Sequence, residues 1–148
     1  MYIKKSKSNI VLVGAGYWGT NIAKNLIKLN ITKIIVYDSI IYNSKLLKKR
    51  FSKNIIISTN YKSLLEKEDL KYFIFATPPS KNYKLINQAL KFNKKIFLEK
   101  PGFKSLNELN LIKKKFPKES KNIMFGYIYM FNNYIKYIKK FIENKSNG

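Results

Sequence analysis

The stretch NIVLVGAGYWGTNIAKNLIKLNITKIIVYD, residues Asn9 to Asp38, decides the fold. Asn9–Val13 (NIVLV) is an apolar run stopped by glycine, the pattern of a strand buried on both faces. From Tyr17 to Leu29 the residues Ile22, Ala23, Leu26, Ile27 and Leu29 recur at helical spacing. Lys33–Tyr37 (KIIVY) is a second buried run that ends at Asp38. Strand, glycine turn, helix and strand within roughly 30 residues make a βαβ unit.

The turn itself, Gly14-Ala15-Gly16-Tyr17-Trp18-Gly19, has the form G-x-G-x-x-G. Alone that spacing is common. Here it follows a predicted buried strand and opens a predicted helix in the first βα turn. In that setting Gly14 permits the tight turn, Gly16 lets backbone approach a pyrophosphate, and Gly19 lets the helix pack closely on the strand. The helix N-terminus offers its unpaired N–H groups and positive partial charge to the phosphates, with Tyr17 and Trp18 in the same turn beside them. Asp38 stands 19 residues past Gly19 at the end of the second strand. A carboxylate there accepts hydrogen bonds from ribose 2′- and 3′-hydroxyls and repels a 2′-phosphate, which favours NAD over NADP. The bland alternative is a glycine-rich turn and a solvated aspartate; meeting all the context conditions favours the dinucleotide site.

The same alternation continues outward. Tyr42 to Phe51 predicts a helix with Leu46, Leu47 and Phe51 on one face, and Asn54–Ile57 a third strand. A short helix holds Ser63–Glu66. Lys71–Ala76 is the fourth strand, followed by a helix capped at Ser80 and running to Phe92, with Tyr83, Ile86, Ala89 and Leu90 inward. Lys95–Leu98 is the fifth strand. Ser105-Leu106-Asn107-Glu108 is a capping-box pattern opening a helix to Phe116. Lys121–Phe125 is the sixth strand. Beyond it Phe131, Tyr134, Ile135, Ile138 and Ile142 form an apolar stripe with lysines opposite, and the polar tail from Asn144 to Gly148 is expected to fray. The fold class is α/β, a Rossmann-type doubly wound parallel sheet of about six strands, with residues 1–148 one domain.

Composition narrows the chemistry. The 148 residues include no Cys and no His, which excludes thiolate or histidine nucleophile systems and Cys- or His-based metal sites. Acid–base work falls to Lys, Tyr or a carboxylate. The formal charge is +22, from 30 basic and 8 acidic residues. Twenty-nine of the 30 are Lys, Arg50 being the exception, beside 21 Ile, 17 Asn and 4 Ala. Lys, Ile and Asn are the products of A/T-rich codons, Ala is not, and the lysines are spread along the chain. Codon bias therefore explains the charge better than a nucleic-acid or other polyanion site, which would keep arginines for bidentate contacts. The longest uncharged run, Ser8–Ala23, has 16 residues and three glycines, short of the ~20 apolar residues of a membrane span. No convincing cleavage site follows Lys4, Lys5 and Lys7, so the chain is expected to be cytoplasmic.

Two further strand ends carry candidate residues. Ala76-Thr77-Pro78-Pro79-Ser80 ends the fourth strand, on the rim where open α/β sheets bind ligands; two prolines that merely stop a strand and start a helix are an equal alternative. Glu99-Lys100-Pro101 ends the fifth. A lysine fixed there between Glu and Pro is held, and its ammonium can orient a nicotinamide or polarise a substrate hydroxyl. Tyr127 and Tyr129 read as core or interface packing.

These motifs together resemble the glucose–fructose oxidoreductase/inositol dehydrogenase/rhizopine-catabolism (Gfo/Idh/MocA) family: GAGYWG, the acidic end of the second strand, ATPPS, EKP and GYIYMFN, in order from about Ser8 to about Ile142. The resemblance implies an NAD(P)-dependent oxidoreductase acting on sugars, cyclitols or nucleotide sugars. It places Lys100 beside nicotinamide and substrate as a catalytic group, with a commonly cis Lys100–Pro101 bond. Thr77, Pro78, Pro79 and Glu99 would line the nicotinamide half, and Asn82, where the family usually carries His, would hydrogen-bond the cofactor. Tyr127 replaces another frequent His. The family's C-terminal α+β domain, which supplies the remaining catalytic pair and the substrate wall, is absent, so residues 127–148 read as a stub toward it. The expectation is a cofactor domain with little turnover alone, able to self-associate through its last helix. The alternative is a non-catalytic dinucleotide-binding or interaction module completed by another chain.

Overall fold

The computed structural model describes residues 10–145. Six strands form one sheet: β1 (Ile10–Val13), β2 (Ile34–Tyr37), β3 (Ile55–Ile57), β4 (Tyr72–Phe75), β5 (Lys95–Leu98) and β6 (Ile123–Phe125). Every pairing is parallel and the spatial order is β3-β2-β1-β4-β5-β6. The helices are α1 (Tyr17–Lys28), α2 (Ile41–Arg50), α3 (Tyr61–Glu66), α4 (Pro79–Lys91), α5 (Leu106–Lys115) and α6 (Asn133–Lys145). The chain winds outward from β1 to β3, returns to the other side of β1 as β4, and winds out again to β6. The expected doubly wound sheet is therefore the observed one, and its winding reverses between β1 and β4, where such sheets open a crevice.

The strand period of two divides the core. Val11 and Val13 join Phe73, Phe75, Leu98 and Ile86 on one face, while Leu12, Ile34, Val36, Ala23 and Leu47 pack on the other. Most of these side chains are fully buried, the valines, leucines, isoleucines and phenylalanines each contributing roughly 1.5–3 kcal/mol over the exposed state.

Boundaries differ where backbone constraints override pattern. Asn9 lies outside the described residues, as do residues 146–148 of the polar tail, whose first part continues α6. Helix α4 starts at Pro79, with Pro78 as its N-cap, so Ser80 lies within it. Proline presets a helical φ and lacks the N–H that a first turn leaves unpaired. A 3₁₀ turn at Glu119–Asn122 takes the start expected for β6. Another spans Ile128–Phe131 and leaves Phe131 outside α6, whose first N–H groups donate to Asn132 Oδ1 at 2.9 and 3.3 Å. Leu29 and Leu46, expected on inner faces, are exposed. In the capping box Ser105 Oγ accepts from Glu108 N–H at 3.3 Å, but the Glu108 carboxylate accepts from Lys104 N–H rather than from Ser105.

One buried cation stands under this core. Lys94, 4% exposed, donates from Nζ to the Lys67 carbonyl at 2.8 Å and lies 5.7 Å from the Phe73 ring centroid. Burial pushes its pKa below the ordinary 10.5, against the opposing pull of Asp69 and Glu68. The unfolded chain then binds more protons than the folded one between the lowered value and 10.5, so stability rises with pH across that window. Urea unfolding of the wild type and Lys94→Met should show their stability difference moving in the wild type's favour as pH is raised from neutral toward 10.5. A pH-independent difference would refute this account.

Candidate functional site

The glycine turn is shaped by close approach. Gly14 has φ +97°, and a Cβ there would lie 2.6 Å from the Ala76 carbonyl oxygen. A Cβ on Gly19 would collide with the carbonyl oxygen of Gly14. These two contacts seat α1 directly on the ends of β1 and β4. Gly16, the N-cap of α1, has nothing within 4 Å of its would-be Cβ. The open space there faces the crevice, beside the first N–H groups of a 12-residue helix.

Asp38 ties this turn to β2. Its Oδ2 accepts from Ala15 N–H at 2.7 Å and its Oδ1 from Ile40 N–H at 2.8 Å. Gly14 N–H meanwhile donates to the Tyr37 carbonyl at 2.8 Å. A carboxylate offers about four acceptor positions, so both oxygens keep capacity for ligand hydroxyls.

A cleft of about 920 Å³ runs along the C-terminal edge of the sheet. It extends from β2 past β1 and β4 to β5, three strand spacings or roughly 14 Å. Gly14, Gly16, Tyr17, Trp18 and Asp38 line it, together with Thr77, Pro78, Pro79, Glu99 and Lys100. Gly19, Asn82 and Pro101 do not line it. Gly19 acts through packing. Pro101 follows a cis peptide bond to Lys100.

Asn82 departs from the cofactor-contacting role expected of it. It is 1% exposed, accepts from Thr77 Oγ1 at 2.5 Å and donates to the Gly102 carbonyl at 2.5 Å. Both ends of its amide are engaged. It braces the loop after β4 against the loop after β5, holding these two parts of the rim in register.

Lys100 is exposed, and its anchoring differs from the expected one. Glu99 Oε2 accepts from the backbone N–H of Lys100 at 3.1 Å, while the ammonium lies 5.9 Å from the Trp18 ring centroid. The amphipathic tail of lysine favours such a ring face. Trp18 in turn meets Tyr17 edge-on at 5.5 Å. Tyr127 and Tyr129 are exposed rather than core residues, Tyr127 stacking on Phe125 at 5.8 Å.

Sequence patterning did not reveal several lining residues. Tyr61 is buried, packs against Tyr37 with tilted rings 5.3 Å apart, and donates its hydroxyl to the Leu85 carbonyl at 2.9 Å. Burial, and secondarily Tyr37, pushes its phenol pKa up, so it is a neutral wall. Lys62, Lys81 and Lys84 also line the cleft. Lys62 reaches the rim from α3, and Lys81 and Lys84 from the first turns of α4, so nothing in the sequence around either helix sets them apart from the other exposed lysines. Among the described residues no cluster of three or more metal-ligating side chains occurs, and no helix is long and apolar enough to cross a membrane.

Residues 8–127 match the model of an oxidoreductase family with an NAD-binding Rossmann fold, Gfo/Idh/MocA. Myo-inositol dehydrogenase from Lactobacillus casei, solved with NAD(H) and myo-inositol, superposes with a TM-score of 0.81 at 20% identity, over 94% of this chain and 42% of that one. Myo-inositol dehydrogenase from Corynebacterium glutamicum gives 0.80 at 19%, over 97% and 43%. Scyllo-inositol dehydrogenase from Lactobacillus casei, with NAD(H) and scyllo-inositol, gives 0.75 at 17%, over 97% and 43%. The chain thus spans less than half the length of these structures. No curated protein matches.

The glycines separate packing from ligand space. Gly19→Ala should destabilise the fold by roughly 2–4 kcal/mol, since backbone must move to admit the methyl group. Gly16→Ala should leave the thermal midpoint within about 3 °C of wild type and weaken dinucleotide binding. Equal losses of stability in both variants would contradict the assignment of Gly16 to the ligand side.

Proposed function

Because the chain belongs to the Gfo/Idh/MocA oxidoreductase family, through its NAD-binding Rossmann domain, we propose that it binds NAD(H) along the C-terminal edge of its sheet. In this reading it is the cofactor half of an oxidoreductase for a sugar, cyclitol or nucleotide sugar. The observation that carries the reading is the juxtaposition of an open Gly16 at a helix N-terminus with the tethered Asp38 carboxylate. Their chemistry matches the two polar parts of a dinucleotide, an anionic pyrophosphate and a ribose diol. The free acceptor positions of Asp38 suit ribose hydroxyls and make NAD the favoured form.

The remaining cleft residues divide the work. Thr77, Pro78 and Pro79 wall the nicotinamide side and exclude water; Glu99 and Lys100 stand at its far end, with Tyr17 and Trp18 above. Bound nicotinamide supplies the hydride acceptor or donor. Lys100 is the group placed to hold a substrate hydroxyl and stabilise negative charge on its oxygen. A substrate wall and any further proton-handling group would come from a second domain, since the solved relatives are more than twice as long. Part of the same reading is a cytoplasmic location, as the site needs a supply of free NAD(H).

Fluorescence titration of NADH with the purified chain tests this directly. Saturable binding in the micromolar-to-millimolar range is expected, with Asp38→Ala weakening it about tenfold, the scale of one charge-assisted hydrogen bond. Absence of saturation, or indifference to Asp38→Ala, would remove the proposal.

A second interaction is supported by the exposed C-terminal segment. Every residue from Tyr127 to Glu143 is exposed, among them Phe131, Tyr134, Ile135, Ile138 and Ile142. Contiguous apolar surface of this kind favours association, and a second copy of the chain would offer the same face. Sedimentation velocity should show concentration-dependent association, abolished by Ile138→Lys with Ile142→Lys. A single monomeric species at all concentrations would exclude it.

A further inference from the structure

The adenosine end of the cleft carries a charge pattern that Asp38 alone does not suggest. Lys81 projects from the first turn of α4, and its Nζ lies 3.2 Å from Ser39 Oγ, the side chain immediately after Asp38. Lys84, one turn further along the same helix, lines the same cleft. Lys62 lines it too, from α3, where it faces Glu66 at 3.7 Å. Asp38 and Glu99 are the acidic residues among those lining the cleft, and Glu99 belongs to the opposite end. Beside Asp38 there is thus the Lys81 cation, with Lys84 in the same cleft. That carboxylate is further offset by the N–H dipoles of Ala15 and Ile40.

An aspartate at this position discriminates against a ribose 2′-phosphate by like-charge repulsion, and a nearby cation removes the discrimination. We propose that Lys81, braced on Ser39 and assisted by Lys84, forms a 2′-phosphate subsite, so that the chain binds NADPH as well as NADH. This inference rests on the dinucleotide reading above. In it Asp38 receives the ribose hydroxyls of NADH, whereas the dianionic phosphate of NADPH takes the Lys81 ammonium and the Ser39 hydroxyl. Lysine suits the second task because its long stem lets the ammonium follow either ligand. Ser39 gives it a resting partner when no phosphate is present.

The test titrates NADH and NADPH fluorescence against the full chain at one fixed ionic strength, with circular dichroism to verify that each variant is folded. For the unaltered chain the two dissociation constants should agree within about tenfold. Lys81→Gln should weaken NADPH about tenfold, the scale of one charge-assisted contact, and leave NADH within about twofold. Adenosine 2′,5′-bisphosphate should displace NADPH better than AMP does, and that preference should vanish in Lys81→Gln. Lys114→Gln, an exposed lysine on α5, should change nothing. NADPH binding more than about a hundredfold weaker than NADH overturns the subsite. So does an equal effect of Lys81→Gln on both dinucleotides, or an effect of Lys114→Gln matching that of Lys81→Gln, which would signify diffuse charge. Failure of both dinucleotides to bind would instead strike the parent reading.

Discussion

The site depends on one steric constraint, the contact of Gly14 with the end of β4 and with Gly19 at the start of α1. Gly14 passes so close to the Ala76 carbonyl that no side chain fits, and Gly19 lies against Gly14 itself. Around this point three strand ends are tied by backbone hydrogen bonds, Ala76 N–H to the Val13 carbonyl at 2.9 Å and Gly14 N–H to the Tyr37 carbonyl at 2.8 Å. The packing that seats α1 also aims its N-terminus into the crevice. Separation of helix from sheet by a methyl group would therefore misdirect the dipole as well as weaken the core.

Electrostatics then differentiate the rim. The two cleft carboxylates, Asp38 and Glu99, both accept from backbone N–H groups, so their positions are set by the fold. The cations that face them stand on flexible stems, resting on a hydroxyl in the case of Lys81 and on an indole ring in that of Lys100. Fixed acceptors with adjustable donors suit a ligand whose hydroxyls must be placed accurately and whose phosphates tolerate some latitude. This arrangement also shows why a chain so rich in lysine need not lose specificity. Exposed lysines are worth little individually, and only those that reach the crevice act on its ligand.

Much of this was legible in the residue order. Buried strand runs, the GAGYWG turn and Asp38 are local signals, each read within one element or one βα unit, and they fixed the sheet and half of the cleft. The braces were not legible. Asn82 holds Thr77 and Gly102 across 5 and 20 residues, Lys81 reaches Ser39 across 42, and Tyr61 meets Leu85 across 24. Such contacts arise where separate crossovers converge on one edge, and no periodicity within a segment encodes them. Of the apolar stripe from Phe131 to Ile142, the residues from Tyr134 onward lie on α6 and only Phe131 lies outside it. Its spacing is helical, but Asn132 supplies a better N-cap than the helix could keep in its interior, so Phe131 falls into the preceding turn.

The composition finally acts in two opposed ways that salt separates. At +22, copies of the chain repel one another, and exposed charges are screened over roughly 8 Å at physiological ionic strength. Added salt therefore lowers the barrier to bringing two α6 faces together while leaving their apolar attraction intact. It has the reverse effect on a phosphate in the cleft, whose attraction to Lys81 and Lys84 is screened along with everything else. Association that strengthens with salt and dinucleotide binding that weakens with it would then both follow from a single lysine-rich chain. On the proposed reading, the same charge would act on both the cleft, whose geometry is set by glycine packing, and the exposed face of α6.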